Sequence, residues 1–324
     1  MPAMGEFDLI ARYFTRPAPA VSTTVALGVG DDCAVLTPAP GHQWLVSTDM
    51  LVEGRHFLST VAPERLGHKA LAVNLSDLAA SGGTPRACFL SLALPRVDEA
   101  FLAGFSQGLF ALADAHGVVL AGGDTTAGPL NINITIMGEV PQGQALLRSG
   151  ARAGQDLWVS GTLGDARLAL EVFRGTVSLP GEAFDTVRRA MELPEPRVAL
   201  GQALRGVASS AIDVSDGLTG DVGHLLRRSG VGARLDLDAL PRSAVLAAQP
   251  LDLQRLCLLT GGDDYELVFT ADPAHEARVR EAGLQSGTPV HRVGRIEAEP
   301  GLRVVDAHGQ LLDLALNSFD HFKT

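Results

Sequence analysis

The spacing of apolar residues predicts amphipathic helices in the first half of the chain. Phe7, Ile10 and Phe14 recur at helical intervals and predict a helix over residues 6–15. The same periodicity predicts helices over 63–80 and 98–116. A solvent-facing strip and a buried strip are expected on each of these three helices.

Alternation and short apolar runs predict strands between these helices. Residues 43–48 and 118–121 are short apolar runs that end in Asp or Gly-Gly-Asp. The segment 130–140 alternates, with leucine and isoleucine at even positions and asparagine or threonine at odd positions from 130 to 136. This last pattern predicts a strand with one core face and one polar face that could line an interface.

The second half of the chain repeats this mixture without a regular strand-helix-strand alternation. The predicted strands are 156–160, a run into Asp213, 233–237, 265–270 and 291–296, and the predicted helices are 164–173, 197–205 and 216–229. We therefore expect an α+β fold of two domains. The expected divisions are an N-terminal domain over 1–140, a Gly-, Gln- and Arg-rich linker over 141–155 and a C-terminal domain over 156–324.

Composition limits the environment and the partners. The net charge of −11 argues against a nucleic-acid partner or an anionic membrane surface, and no apolar run is long enough to span a bilayer. The acidic start of the chain does not resemble a signal peptide, so the cytoplasm is the expected compartment. Cys33, Cys88 and Cys257 lie far apart in apolar surroundings and are expected to be reduced core residues.

Lysine is nearly absent, which restricts how a phosphate group could be bound. Only Lys69 and Lys323 occur among 26 basic residues, and neither stands in a P-loop sequence. A phosphate site in this chain must therefore use other groups, such as arginine or metal ions.

Aspartates follow Gly, Ser or Thr at the end of apolar runs in six places. Such strand ends and the turns after them commonly carry ligand-binding groups. Asp77 differs in that it falls on the apolar face of the predicted helix 63–80, where a carboxylate is unexpected. The six places are GDD at 30–32, STD at 47–49, SD at 76–77, GGD at 122–124, DVSD at 213–216 and GGDD at 261–264.

Two explanations of these aspartates remain open. Each one alone is ordinary turn or cap chemistry, and Asp216 is a plausible N-cap of the following helix. If several converge, however, their repulsion of roughly 4 kcal/mol per close pair at an effective dielectric near 20 requires protons or cations. Oxygen ligands of this kind suit Mg²⁺ shared with substrate phosphates. His56, seven residues after Asp49, is either a substrate contact or a surface residue.

With these motifs in view, the sequence resembles the thiamine-monophosphate kinase family, within the superfamily of aminoimidazole ribonucleotide synthetase and selenophosphate synthetase. The similarity runs nearly end to end through GVGDDCAV, VSTDMLVEGRHF, NLSDLAASGG, GGDTT, RSGARAG, IDVSDGL, GGDDYEL and the terminal SFDHF. EGRHF with NLSDLAA and the terminal FDHF point more narrowly to the thiamine enzymes than to their relatives.

The resemblance implies a reaction and an assembly. ATP would donate its γ-phosphoryl group to the phosphate of thiamine monophosphate, giving thiamine diphosphate and ADP with the help of several Mg²⁺ ions. No general base is implied, because the attacking phosphate oxygen is already anionic. The N-terminal domain would pair with its mate in a homodimer and complete a barrel-like sheet.

The resemblance also implies roles for individual residues. Phe319 would contact the substrate by stacking, although a C-terminal core position is an equal alternative. Arg148 would be the main protein cation on the ATP phosphates. The implied metal ligands are Asp32, Ser47, Thr48, Asp49, Asp77, Asp124, Asp213 and Asp216; the implied ATP contacts are Gly123, Asp124, Arg148 and Ser215; the implied substrate contacts are His56, Asp263 and Phe319.

The chain departs from the family pattern at a few positions, and two rival functions remain. Asp263 stands where the family usually has glutamate, Ser81 where methionine is common and Arg152 where lysine is usual. One rival is a sister ATP-dependent synthetase, but selenophosphate synthetase would need a reactive cysteine near the start, and none precedes Cys33. The other is a non-enzymatic divalent-ion binder, although the EF-hand spacing is absent.

Overall fold

The chain forms two compact units in a computed structural model that describes residues 5–16, 24–29 and 33–312. The N-terminal unit comprises the chain up to Leu78 together with Gly83–Gly143, and the C-terminal unit comprises Ala79–Gly82 and the chain from Gln144 onward. The predicted linker at 141–155 overlaps the break after Gly143, and its role as a boundary between independent domains stays a prediction. No helix in the described part of the chain is long and apolar enough to cross a membrane.

The N-terminal unit is built on a four-stranded sheet with two long helices. The strand order is β3-β6-β4-β5, in which only the β4–β5 pair is parallel. The elements are α1 (Glu6–Leu9) continued by a π-helical turn (Ile10–Phe14), β1 (Val25–Leu27), β2 (Val35–Leu36), β3 (His42–Val52), α2 (Pro63–Ala80), β4 (Thr84–Leu94), α3 (Glu99–His116), β5 (Val119–Ala127) and β6 (Asn131–Pro141).

Two glycines allow α2 and α3 to cross with their backbones in contact. A Cβ built at Gly67 would overlap the carbonyl oxygen of Phe105 on α3, and a Cβ built at Gly108 would overlap the carbonyl oxygen of Glu64 on α2. The sheet contacts α2 closely as well, because a Cβ at Gly138 of β6 would lie 2.9 Å from the Leu78 side chain. These helices therefore form a tight layer on one face of the sheet.

The C-terminal unit is built on a six-stranded sheet of order β12-β9-β11-β7-β10-β8, in which only β12–β9 is parallel. A short 3₁₀ turn (Pro273–His275) precedes the last helix. The elements are β7 (Asp156–Ser160), α4 (Asp165–Phe173), α5 (Gly181–Glu192), α6 (Val198–Ala203), β8 (Ser210–Asp213), α7 (Leu218–Ser229), β9 (Gly232–Asp236), α8 (Ala244–Ala247), α9 (Leu251–Thr260), β10 (Leu267–Ala271), α10 (Glu276–Ser286), β11 (Val290–Glu297) and β12 (Gly301–Val305).

Both faces of this second sheet are covered. Leu157 and Val159 of β7 belong to the main core together with residues of α4, α5, α7, α8 and α9. Trp158, between them in sequence, points the other way and stacks on Phe269, with Arg280 of α10 over its ring. Alternate residues of a strand face opposite sides, so β7 is apolar throughout because both sides are buried.

The mixed α+β class and the two-part layout are confirmed, and three sequence expectations are wrong. Asp49 does not end its strand, because β3 continues to Val52. The GGDTT segment is not a turn but lies inside β5. Cys33 is exposed, whereas Cys88 and Cys257 are buried as expected.

Candidate active site

The third strand and the second helix bring two of the predicted metal ligands together in the N-terminal unit. The Ser47 hydroxyl donates a hydrogen bond to Oδ2 of Asp77. Asp77 lies on α2, and its half-buried position next to a polar partner explains why a carboxylate occurs on the apolar side of that helix. Asp49 shares the strand face of Ser47, because the two residues are separated by one position.

Thr48, also predicted as a metal ligand, has its side chain on the opposite face of the sheet. Its hydroxyl donates to the carbonyl oxygen of Ile134 at 3.2 Å and accepts from the Thr135 hydroxyl at 3.1 Å. Thr48 and Thr135 are direct partners across β3 and β6. Any ligation by Thr48 beside Ser47 and Asp49 would therefore use its main-chain oxygen.

The fifth strand carries the predicted nucleotide residues Gly123 and Asp124. Asp124 is exposed and pairs in register with Ser91 of β4. Gly123 has φ of 148°, and a Cβ at this position would overlap the carbonyl oxygen of Leu90. Only glycine fits here, so the backbone of β5 can approach β4 and remain open to a ligand on its other side.

His56 lies in the turn after β3, and one hydrogen bond fixes the tautomer of its neutral ring. The backbone N–H of Val52 donates to Nδ1 of His56 at 3.0 Å. Because an N–H group can only donate, Nδ1 is unprotonated and a neutral ring carries its hydrogen on Nε2. The half-buried His56 side chain therefore offers a hydrogen-bond donor through Nε2.

In the C-terminal unit, two predicted loops contact each other along their backbones. Asp263 N donates to Ser215 O at 2.9 Å, and Tyr265 N donates to Val214 O at 2.8 Å. A Cβ on Gly262 would lie too close to Ser215 O, so glycine is required for this approach. The loop after β8 and the loop before β10 thereby bring the predicted ATP contact Ser215 next to the predicted substrate contact Asp263.

Asp221, which was not predicted as a site residue, organises the first of these loops. Its buried carboxylate accepts the backbone N–H of Asp216 at 3.1 Å. Burial, followed by the negative charges of Asp213 and Asp216, raises the pKa of Asp221 to about 8. The missed signal was an acid four residues after Gly217 on the buried side of α7. Asp216 itself is not the cap of α7, because Gly217 holds that position.

These carboxylates suit a divalent cation by their chemistry. Asp213 and Asp216 lie close enough to raise the pKa of Asp221, so three carboxylates are near one another, and hard oxygen donors favour Mg²⁺. Within the described residues, however, no three Asp, Glu, His or Cys side chains form a complete metal-binding group. The predicted ligand Asp32 and the predicted substrate contact Phe319 lie outside the described residues.

The loop before β10 has an unusual backbone. Asp263 and Tyr265 are the two non-glycine residues in the described chain with positive φ, at 68° and 52°. The Tyr265 hydroxyl donates to Oδ1 of Asp263 at 3.0 Å, and the tyrosine side chain is buried. Such conformations cost about 1–3 kcal/mol each and persist only where surrounding contacts impose them.

Two acidic residues of the same GGDDYEL segment anchor this strained turn. Oδ1 of Asp264 accepts the backbone N–H of Gly164 at 2.9 Å. The other oxygen, Oδ2, is buried and has no hydrogen-bond partner among the described residues. Burial raises the pKa of the Asp264 carboxyl group well above its usual range. The buried Glu266 carboxylate accepts two hydrogen bonds from Arg197, at 2.8 and 2.5 Å, and one from the Ser160 hydroxyl. Sequence reasoning singled out neither residue.

Arg148, the predicted cation for ATP, is exposed and held at its main chain by α7. The Ser229 hydroxyl donates to Arg148 O at 3.1 Å and accepts from Ala151 N at 3.2 Å. Burial lowers the pKa of His224 on the same helix, and the positive charges of Arg227 and Arg148 lower it further. The side chains of Arg148 and α7 thus share one cationic region in this unit.

Comparisons with known proteins match nearly the whole chain. Residues 30–140 match the AIR synthase related protein N-terminal domain, and residues 152–307 match the C-terminal domain of the same family. Thiamine-monophosphate kinase of Salmonella typhimurium is 44% identical over 326 residues, which cover 99% of each chain.

Solved structures give the same result. The crystal structure of thiamine-monophosphate kinase from Stenotrophomonas maltophilia K279a superimposes with a TM-score of 0.84 at 43% identity, covering 90% of this chain and 93% of the other. A structure described as AaThiL complexed with AMPPCP and TMP gives a TM-score of 0.76 at 28% identity, covering 88% and 89% of the two chains. The chain therefore belongs to the thiamine-monophosphate kinase family.

Proposed function

We propose that this chain transfers the γ-phosphoryl group of ATP to the phosphate of thiamine monophosphate, producing thiamine diphosphate and ADP. The observation that carries the proposal is the backbone contact between the 213–217 and 261–264 loops, because it brings the predicted nucleotide contact Ser215 next to the predicted substrate contact Asp263. The 44% identity to a thiamine-monophosphate kinase over the full length supports the same reaction.

The nucleotide would be bound by groups other than a P-loop lysine. Gly123 leaves the backbone of β5 open beside Asp124, and Ser215 offers a hydroxyl at the loop after β8. Arg148 would pair with the phosphates, since its guanidinium group is exposed while its main chain is fixed by Ser229. His56 would donate from Nε2 to the substrate, and Phe319 would also contact it.

Several Mg²⁺ ions would be held by the predicted acidic ligands. Bound Mg²⁺ would neutralise and align the two phosphate groups for in-line transfer. The chain's own residues bind and orient the substrates, and the attacking phosphate oxygen needs no general base because it is anionic at neutral pH. The proposed ligands are Asp32, Ser47, Thr48 through its main chain, Asp49, Asp77, Asp124, Asp213 and Asp216.

A homodimer would cover the exposed face of the four-stranded sheet. In the described part of the chain, this face carries Val46 and Met50, which are 60% and 52% exposed, and β3 is an edge strand. Such a face next to an unpaired edge favours association with a second copy.

The expected compartment remains the cytoplasm, a proposal that rests on the sequence alone.

The dimer can be tested by sedimentation velocity. Val46→Glu should convert dimer to monomer, while the matched control Leu284→Glu, at a position that is 84% exposed in the other unit, should leave the dimer intact. A monomeric wild type, or a Val46→Glu variant that stays dimeric at micromolar concentration, contradicts this assembly.

The reaction is tested by chromatography of purified protein with ATP, Mg²⁺ and a series of acceptors. Thiamine diphosphate should form from thiamine monophosphate, and chelation of Mg²⁺ should stop the reaction. Phosphorylation of free thiamine with none of the monophosphate contradicts the assignment. Asp49→Asn should abolish turnover while leaving the melting temperature unchanged; near-normal turnover at saturating Mg²⁺ would remove Asp49 from the metal site.

A further inference from the structure

The hydroxyl group of Tyr265 is directed at the carboxylate that is proposed to receive the substrate. It donates to Oδ1 of Asp263 at 3.0 Å from a tyrosine side chain that is only 8% exposed. The hydrogen bond spans two residues, which is possible because both have positive φ. An extended strand would direct side chains two positions apart in parallel rather than towards each other.

The backbone around this pair is held from several sides, so the pair is a fixed feature of the loop. The N–H groups of Asp263 and Tyr265 both donate to the loop after β8. Asp264 is bonded to the start of α4, and Glu266 is bonded to Arg197. These contacts stabilise a turn that is unfavourable for non-glycine residues.

A carboxylate on a short side chain has few rotamers, and a hydrogen bond to one of its oxygens selects among them. A charge-assisted hydrogen bond from a buried hydroxyl group is stronger than one between neutral groups. Oδ1 of Asp263 is thus held by the protein, and the orientation of Oδ2 follows from it. The direction in which Asp263 presents its negative charge is therefore set by Tyr265.

We propose that Tyr265 is a positioning residue for substrate binding: its hydroxyl group orients the Asp263 carboxylate towards thiamine monophosphate. The inference rests on the proposed function, and it adds a residue that acts through Asp263 rather than on the substrate. Thiamine monophosphate carries a cationic thiazolium ring and an aminopyrimidine group, and an oriented carboxylate is complementary to either.

The test compares the steady-state constants of two single-hydroxyl deletions. Tyr265→Phe should raise the KM for thiamine monophosphate about tenfold, equivalent to about 1.4 kcal/mol, with the KM for ATP changed less than twofold. Tyr13→Phe removes the same group from the other tyrosine of the chain, in the N-terminal unit, and should leave both constants unchanged.

A double-mutant cycle separates positioning from general stability. Asp263→Ala should raise the same KM, and adding Tyr265→Phe to it should have no further effect, because the group that the hydroxyl orients is gone. An equal effect of Tyr265→Phe in both backgrounds, or a parallel change in both KM values, would overturn the inference.

Failure of the proposed function gives a different result. A wild-type protein that forms no thiamine diphosphate overturns the function and this inference together. An active wild type whose KM for thiamine monophosphate is unchanged by Tyr265→Phe overturns the positioning role alone, and the function stands.

Discussion

Replacing Gly123 by alanine should force β5 away from β4 at the candidate nucleotide-binding residues. Gly123 pairs with Leu90 in the parallel ladder, and a Cβ at this position would lie 1.8 Å from the Leu90 carbonyl oxygen. Real Cβ atoms essentially never come closer than 3.0 Å to such an atom, so the backbones must separate by about 1.2 Å. That shift is about a quarter of the normal distance of ~4.8 Å between neighbouring strands.

The expected loss of stability has two sources. Separation would break or weaken about two ladder hydrogen bonds at about 1 kcal/mol each. The φ of 148° adds strain of about 1–3 kcal/mol for a residue with a side chain. Together these effects lower the free energy of unfolding of the N-terminal unit by about 3–5 kcal/mol.

Gly143→Ala is the matched control. Gly143 has φ of 77° in the same unit, but a Cβ there meets no atom within 4 Å. It should lose about 1 kcal/mol from backbone strain alone. The difference between the two alanine variants therefore measures the overlap with Leu90.

Differential scanning calorimetry and the KM for ATP provide the two readouts. Gly123→Ala should lower the melting temperature by about 10 °C or more and weaken ATP binding, whereas Gly143→Ala should leave the KM for ATP unchanged. If the two variants differ by less than 1 kcal/mol in unfolding free energy, the close approach of β5 to β4 is not what requires glycine at position 123.

Three further predictions concern stability. Glu266→Gln should lower the free energy of unfolding by about 3–5 kcal/mol in denaturant titrations, because it leaves the half-buried Arg197 paired with the exposed Glu195 and no longer with a buried carboxylate. The exposed-pair control Glu276→Gln should change it by less than about 0.5 kcal/mol, and equal effects would refute this. Gly108→Ala should lower the melting temperature because the new methyl group overlaps the backbone of α2, and an unchanged melting temperature would disprove the close helix crossing. Because burial raises the folded-state pKa of Asp264, wild-type stability should fall as pH rises from about 4 towards that pKa, by up to about 1.4 kcal/mol per pH unit. Asp264→Asn should remove this part of the slope in unfolding titrations at several pH values, and parallel pH profiles for the two proteins would contradict it.

Local patterns predicted much of the architecture. The helix α3 was found close to its predicted bounds, and in the structure the Asp98 carboxylate caps it by accepting from Phe101 N, while Gly117 ends it in the left-handed conformation. The alternating strand β6 and the helix α2 were also found, because their apolar residues repeat with one clear period. The strand β6 buries one face and α3 one strip, and the sequence shows which one. The helix α2 does not have the expected solvent-facing strip in its second half, because residues 69–80 are buried except for the half-buried Asp77.

Other features depend on contacts between distant parts of the chain. The glycines of GGDTT were interpreted as a turn, whereas Gly123 is required by the nearness of Leu90, which is 33 positions earlier. The strand β4 was not predicted, because residues 87–94 are apolar at every position except Ser91 and the sequence therefore shows no alternation, although buried and more exposed residues alternate along the strand. The secondary-structure propensities of the residues cannot reveal the need for glycine at position 123 or the strand β4, since both depend on what packs against the segment.

In the candidate site, too, some features follow from the local sequence and others depend on contacts between distant residues. The motifs suggested Ser215 and Asp263 as candidate binding residues, but their contact depends on the pairing of β8 with β10. The opposite orientation of Thr48 was available from the sequence, since adjacent residues in a strand face opposite sides. The bond between Tyr265 and Asp263 was not, because it needs two positive φ values in non-glycine residues.

The most direct test of the central claim follows the γ-phosphoryl group itself. The purified protein would be incubated with [γ-³²P]ATP, Mg²⁺ and thiamine monophosphate, and the products separated by chromatography. We expect one equivalent of label in the terminal phosphate of thiamine diphosphate for each ADP formed. Label that appears only as inorganic phosphate, with no thiamine diphosphate, would contradict direct phosphoryl transfer to thiamine monophosphate.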